Sequence, residues 1–170
     1  MTPIPDFQTL MLPLLTYIGD TIEHSNSETT QHLATQFNLS EDQLKEMLPS
    51  NKQAIFYNRV AWAKAYLKMA GLIENTRRGY FKITLKGSEI LKQKPAIINL
   101  KFLKEIPEYK AFVDNWKNSS ATNDNIEESE SIETQTPEEV LEVSYQNIRK
   151  ALAQDLLSKI KSCHPHFLKI

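Results

Sequence analysis

The 170-residue chain carries 20 Lys+Arg against 21 Asp+Glu, a formal net charge of −1, four Gly and one Cys. This is a globular composition that excludes a disulfide framework, a Cys₄ zinc site and most glycine-loop nucleotide sites. No run approaches the ~20 apolar residues that cross a bilayer, so no membrane partner is expected. Met1-Thr-Pro-Ile-Pro-Asp6 has no basic n-region, so no signal peptide is expected. The single Cys163 suits a reducing cytoplasm. The near-zero charge is regional: residues 1–50 sum to −6, 51–117 to +9, 118–142 to −8 and 143–170 to +4. The basic block reads as a footprint for a polyanion, or as a solvated face.

Phe7, Leu10, Met11, Leu14, Leu15 and Ile18 recur at helical spacing. Pro13 is expected to kink or restart that helix. Asp20 to Ser27 reads as a loop. Ser25 or Ser27 caps a second helix to about Gln36. Ser40 with Gln43 forms a capping-box pattern that opens a third helix to about Leu48. The fourth and longest helix of this half runs from about Gln53 to Ala70. Phe56, Val60, Ala63, Leu67 and Ala70 share its core face. Ala54, Asn58, Ala61 and Ala65 lie on the opposite face, flanked by Arg59 on one side and Lys64 and Lys68 on the other. Trp62 and Tyr66 fall between Arg59 and the far face, beneath a neighbouring element. Gly71 supplies the C-cap.

Leu72–Glu74 and Tyr80–Ile83 predict a hairpin, with Arg77 and Arg78 at its tip and Gly79 in its turn. Thr84 caps a helix to about Gln93, with Leu85 and Ile90/Leu91 turned inward. Residues 98–117 continue an apolar pattern that packs on the domain or covers a partner, with a helix starting near Pro107. Residues 118–136 are acidic and polar, the composition of a disordered linker. Thr136-Pro137-Glu138-Glu139 is a strong helix start. The helix it opens runs to about Ser162 with an apolar stripe of Leu141, Tyr145, Ile148, Leu152, Leu156 and Ile160.

This order predicts a mainly α fold with a small β-hairpin. It is a winged helix-turn-helix domain over 1–117, helical extension 98–117 included, followed by a linker (118–136) and a separate C-terminal helix within 137–170. In that architecture a recognition helix enters the major groove and the wing reaches an adjacent groove or backbone. Small side chains at Ala61 and Ala65 permit close approach, and Asn58 is suited to two-point pairing with adenine. Arg59, Lys64 and Lys68 are positioned for phosphates, and Arg77 and Arg78 for the minor groove or phosphate. Lys52 and Lys82 complete the candidate DNA contacts.

Several stretches carry a family resemblance. They are Leu48-Pro49-Ser50-Asn51-Lys52-Gln53, Asn58-Arg59-Val60-Ala61-Trp62-Ala63, Tyr66-Leu67-Lys68-Met69-Ala70-Gly71-Leu72-Ile73-Glu74, Arg77-Arg78-Gly79 and Ile83-Thr84-Leu85-Lys86-Gly87. In these the chain resembles the N-terminal domain of Mrr-type restriction endonucleases. Ile98–Leu103, Pro107-Glu108-Tyr109 and Thr136–Glu139 resemble the segments that follow. The resemblance implies a DNA-binding module of a restriction system acting on foreign, often methylated, double-stranded DNA. The family's PD-(D/E)xK nuclease domain would begin where this chain stops, so no catalytic activity is expected.

Other chemistry is weakly signalled. Pro5-Asp6 and Glu108-Tyr109-Lys110 match the two halves of the nuclease pattern literally but lie 102 residues apart, one at a disordered-looking start. Cys163-His164-Pro165-His166 offers at most three metal ligands, so neither a metal nor another cofactor is expected. The rival reading is a protein-interaction adaptor working through Trp62, Tyr66 and Trp116. The 137–162 helix then joins a second copy or docks on a nuclease subunit. A third reading has the acidic linker folding onto the basic module as a DNA mimic.

Overall fold

A computed structural model describes residues 3–119 and 134–162. Contacts divide the chain into two units, Met1–Thr136 and Pro137–Ile170. The expected linker, over 120–133, and the Cys163–His166 cluster lie outside the described residues.

The first unit opens with α1 (Phe7–Tyr17), capped by Asp6. The Asp6 Oδ1 accepts from the Gln8 and Thr9 amides at 2.9 and 3.0 Å, satisfying two of the donors a helix start leaves open. The Pro5-Asp6 stretch, read from sequence as a disordered-looking start, is therefore an ordered cap. Pro13 sits inside α1 without restarting it. Leu10, Met11, Leu14 and Leu15 on either side are fully buried, and this packing holds the helix through the lost hydrogen bond. A 3₁₀ turn (Ile18–Asp20) follows.

Within the expected loop lies a two-residue strand, β1 (His24–Ser25). It is too short to show alternation in sequence. It pairs antiparallel with β3, His24 opposite Phe81. Ser25 then caps α2 (Asn26–Gln36) in a reciprocal capping box with Glu28. Ser40 and Gln43 do the same for α3 (Glu41–Lys45). The third helix stops short of Leu48 because Glu46 turns extended and Pro49 disfavours helical backbone at the residue before it. Met47 bridges to Ala54 instead.

Helix α4 (Ile55–Met69) packs chiefly on α1. Phe56, Val60, Ala63, Leu67 and Ala70 are all buried, as the period predicts. Gly71, at φ +71°, turns the chain. The Leu72 amide donates back to the Leu67 carbonyl at 3.0 Å, the bond of a Schellman motif.

The chain then enters β2 (Ile73–Arg77) and β3 (Tyr80–Ile83). The sheet order is β1-β3-β2, with a bulge between Asn75 and Arg77. The hairpin and the helices before it make a winged helix-turn-helix.

Thr84 caps α5 (Leu85–Lys92) and also donates to the Gly71 carbonyl at 2.7 Å. Leu85, expected inside, is 88% exposed, while Ile90 is buried. Position 85 is the first of α5, and the chain turns its side chain outward there. Gly87 meets the sheet so closely that a Cβ would lie 2.3 Å from the Leu72 carbonyl oxygen.

The extension folds as α6 (Leu100–Glu105) and α7 (Pro107–Ser119). Ile98, Leu103, Ile106 and Tyr109 join the core, and the Leu100 amide donates to Gln8 Oε1 at 2.8 Å. The extension therefore packs on the domain. The second unit contains α8 (Pro137–Ser162). Among the described residues, no helix is long and apolar enough to cross a membrane.

Candidate nucleic-acid interface

The outward face of α4 borders a groove of about 400 Å³. One wall is Tyr57, Ala61, Lys64, Ala65 and Lys68, a stripe along about three turns of α4. A second wall is the start of α2, with Asn26, Thr29 and Thr30. The third is the sheet, with Asn75 and Phe81, which face each other across β2 and β3.

The local sequence explains the walls. Thr29 and Thr30 turn their hydroxyls back to donate to the Ser25 and Asn26 carbonyls at 2.9 and 2.7 Å. Lys64 lies across the groove. Its Nζ donates to Asn26 Oδ1 at 2.7 Å and sits 4.3 Å from the centre of the Phe81 ring. Burial, with the nearby Lys68 charge, holds its pKa below the ordinary lysine value. Lys68 is exposed at the rim.

The ten expected DNA contacts separate sharply. Ala61, Lys64, Ala65 and Lys68 come together at the groove. Lys52 is exposed on the loop before α4, and Arg78 is exposed at the wing tip. Asn58, expected on the outer face, is 1% exposed. Its Nδ2 donates to Gln53 Oε1 at 3.2 Å, and its Oδ1 accepts from the Thr136 hydroxyl at 2.7 Å. An amide held this way is a core hydrogen-bonding group, not a reader of base edges.

Arg59 is turned the other way. Its guanidinium donates to the Ile4 and Pro5 carbonyls at 2.8 and 3.3 Å, tying the N-terminal segment to α4. Arg77, at the end of β2 and not at the tip, pairs with Glu23 at 3.2 Å and covers the Tyr80 ring at 3.6 Å. Lys82 pairs with Glu74 at 3.2 Å. Because side chains alternate along a strand, Glu74 and Lys82 lie on the sheet face opposite Asn75 and Phe81. Lys82 therefore does not line the groove. Glu23 is held below the ordinary carboxylate range, chiefly by a Thr76 side-chain hydrogen bond and further by Arg77.

The expected adaptor surface is largely occupied. Tyr66 stacks on Phe7 at 5.3 Å and lies 6.4 Å from Tyr109, with Trp62 at 5.9 Å. This follows the placement beneath neighbouring elements read from the sequence, and it removes Trp62 and Tyr66 as an open patch. The two halves of the nuclease pattern have local work as well. Asp6 caps α1, and Glu108 pairs with Lys86. Among the described residues, no group of three or more His, Cys, Asp or Glu is placed to hold a metal ion.

Sequence reasoning missed Tyr57, Asn26, Thr29, Thr30 and Asn75. Tyr57 lies one turn before Ala61, so extending that stripe backwards finds it. The others arrive by tertiary apposition and leave no signal in local periodicity.

The first unit is thus a winged helix-turn-helix whose α4, start of α2 and wing wall one groove. Residues 7–93, more than half of the chain, match the family profile of the Mrr N-terminal domain, and the chain belongs to that family. No curated protein and no solved structure matches it.

Proposed function

We propose that this chain is the DNA-binding module of an Mrr-like restriction system, acting in the cytoplasm on foreign or methylated duplex DNA. The outer face of α4 seats in the major groove. Tyr57, Ala61 and Ala65 approach the base edges, and Lys64 and Lys68 meet the duplex beside them. Arg78 at the wing tip and Lys52 on the loop before α4 contact phosphate, which positions the module without reading sequence.

The carrying observation is that Ala61, Lys64, Ala65 and Lys68 of α4 line one groove; Lys52, Lys68 and Arg78 are exposed. The chain binds, and cutting belongs to a nuclease that acts with it. Asp6 and Glu108, the literal nuclease matches, are engaged in a helix cap and an ion pair. The adaptor reading moves from the Trp62/Tyr66/Trp116 surface to α8, whose apolar stripe is exposed.

A fluorescence-anisotropy titration of methylated and unmethylated duplexes over a range of salt tests the proposal. Binding that weakens steeply with salt and favours methylated duplex is the expected result. Each phosphate contact removed, as in Arg78→Glu, flattens the log–log salt slope by about 0.9. No duplex binding even at low salt overturns the reading.

A further inference from the structure

Helix α8 carries an apolar face that is exposed among the described residues. Leu141, Tyr145, Ile148, Leu152, Leu156 and Ile160 are each 51–69% exposed. They recur every three or four residues along about 28 Å of helix. Single exposed apolar residues are ordinary. Six on one face of one helix form a continuous seam, and long isolated helices gain most of their stability from packing such a seam.

The stripe reads nearly the same in both directions. About a centre between Lys150 and Ala151, Leu141 falls opposite Ile160 and Tyr145 opposite Leu156. Ile148 meets Leu152 within one residue. The charges do not share this symmetry; they invert. Glu138, Glu139 and Glu142 occupy the first two turns with no base among them. Lys159 and Lys161 occupy the last turn, Lys159 with an i,i+4 pair to Asp155, while Arg149 and Lys150 lie at the centre. A parallel pair of such helices sets acid beside acid and base beside base. An antiparallel pair sets each acidic end on a basic end and opposes the two helix dipoles favourably.

We propose that α8 pairs antiparallel with the α8 of a second copy of this chain, making the protein a two-fold dimer through the Leu141–Ile160 stripe. The occupant is a second copy because the apolar spacing and the charges of the two helix ends are self-complementary on reversal. The dimer carries two winged modules, so both can engage one duplex, which raises avidity without a new contact. The pairing itself rests on α8 alone and does not depend on DNA binding.

Light scattering of the full chain, without DNA, is the first test. A mass twice the 19.6 kDa of the chain is expected. Leu152→Glu is expected to return it to monomer while the melting of the winged module is unchanged. Orientation is tested in a Cys163→Ser background by oxidising mixtures of Leu141→Cys and Ile160→Cys chains. The mixture is expected to give a 141–160 cross-link, and Leu141→Cys alone is expected to give none. A monomer at millimolar concentration, or a dimer indifferent to Leu152→Glu, overturns the pairing. A 141–141 disulfide overturns its direction. Failure of duplex binding alongside a confirmed dimer counts against the DNA reading only.

Discussion

Helix α4 and the far face of the wing are both rich in basic residues, and they present charge very differently. On the wing, Arg77 is paired with Glu23 and stacked on Tyr80, and Lys82 is paired with Glu74. On α4, Lys64 spans the groove and Lys68 stands exposed at its rim. Counting charge along the chain therefore overstates the charge offered to a partner. A basic residue contributes to a polyanion footprint only when its fold-neighbours leave it unneutralised. Exposed ion pairs are worth little in stability, so the wing pairs act chiefly by cancelling that field.

The comparison depends first on α4 holding its place. Phe56→Ala empties a fully buried site on the core face of α4 and is expected to cost about 3–5 kcal/mol. Thermal unfolding followed by circular dichroism checks this. An unchanged midpoint would show that the core face is not what fixes α4.

Gly87→Ala strikes the base of the wing. The new methyl would press on the Leu72 carbonyl and on Ile83, which lie 2.3 and 2.7 Å from an ideal Cβ. Overpacking of this kind is expected to cost about 1–3 kcal/mol. Denaturant unfolding measures it, and a neutral outcome would mean that α5 has room to shift.

Asn58→Ala separates a structural role from a reading role. It removes the hydrogen bonds that Asn58 makes with Gln53 and Thr136, at an expected cost of about 1–3 kcal/mol. Preference among duplex sequences is expected to stay unchanged in a binding selection. A changed preference with stability intact would return Asn58 to the interface.

Glu23 gives the smallest effect, and its sign is fixed. Its pKa is lowered in the folded chain by the Thr76 hydrogen bond and by Arg77. Its contribution is therefore present above the ordinary glutamate value and is lost as pH falls through the lowered one. An NMR titration of the Glu23 carboxyl is expected to show a midpoint below the usual glutamate range. A midpoint at or above that range would contradict the Glu23–Arg77 pairing.

Much of this fold was legible in the sequence because its signals are local. The Ser40/Gln43 capping box, Ser25 as one of two candidate caps, Thr84, Gly71 and the 3.6-residue stripe of α4 each report on their own turn of chain. The failures have two causes. The two-residue β1 and the burial of Asn58 are decided by partners far along the chain, and Leu85 is turned outward by its place at the first position of α5. Asn58 lies on the helix face opposite Phe56 by angle, yet Gln53 and Thr136 bury it. Periodicity shows that a residue is away from one core face. It does not show that solvent lies on the other side.

The most direct test of the account sets the two faces against each other. Lys68→Glu, at the groove, and Lys82→Glu, on the opposite face of the wing sheet, change the net charge equally. Anisotropy titrations on one duplex over a range of salt are expected to show Lys68→Glu weakening binding by tenfold or more, about 1.4 kcal/mol, with a flatter salt slope. Lys82→Glu is expected to leave both affinity and slope near wild type. Equal losses from the two variants would show that only bulk charge matters, and would contradict the assignment of the α4 groove as the surface that meets DNA.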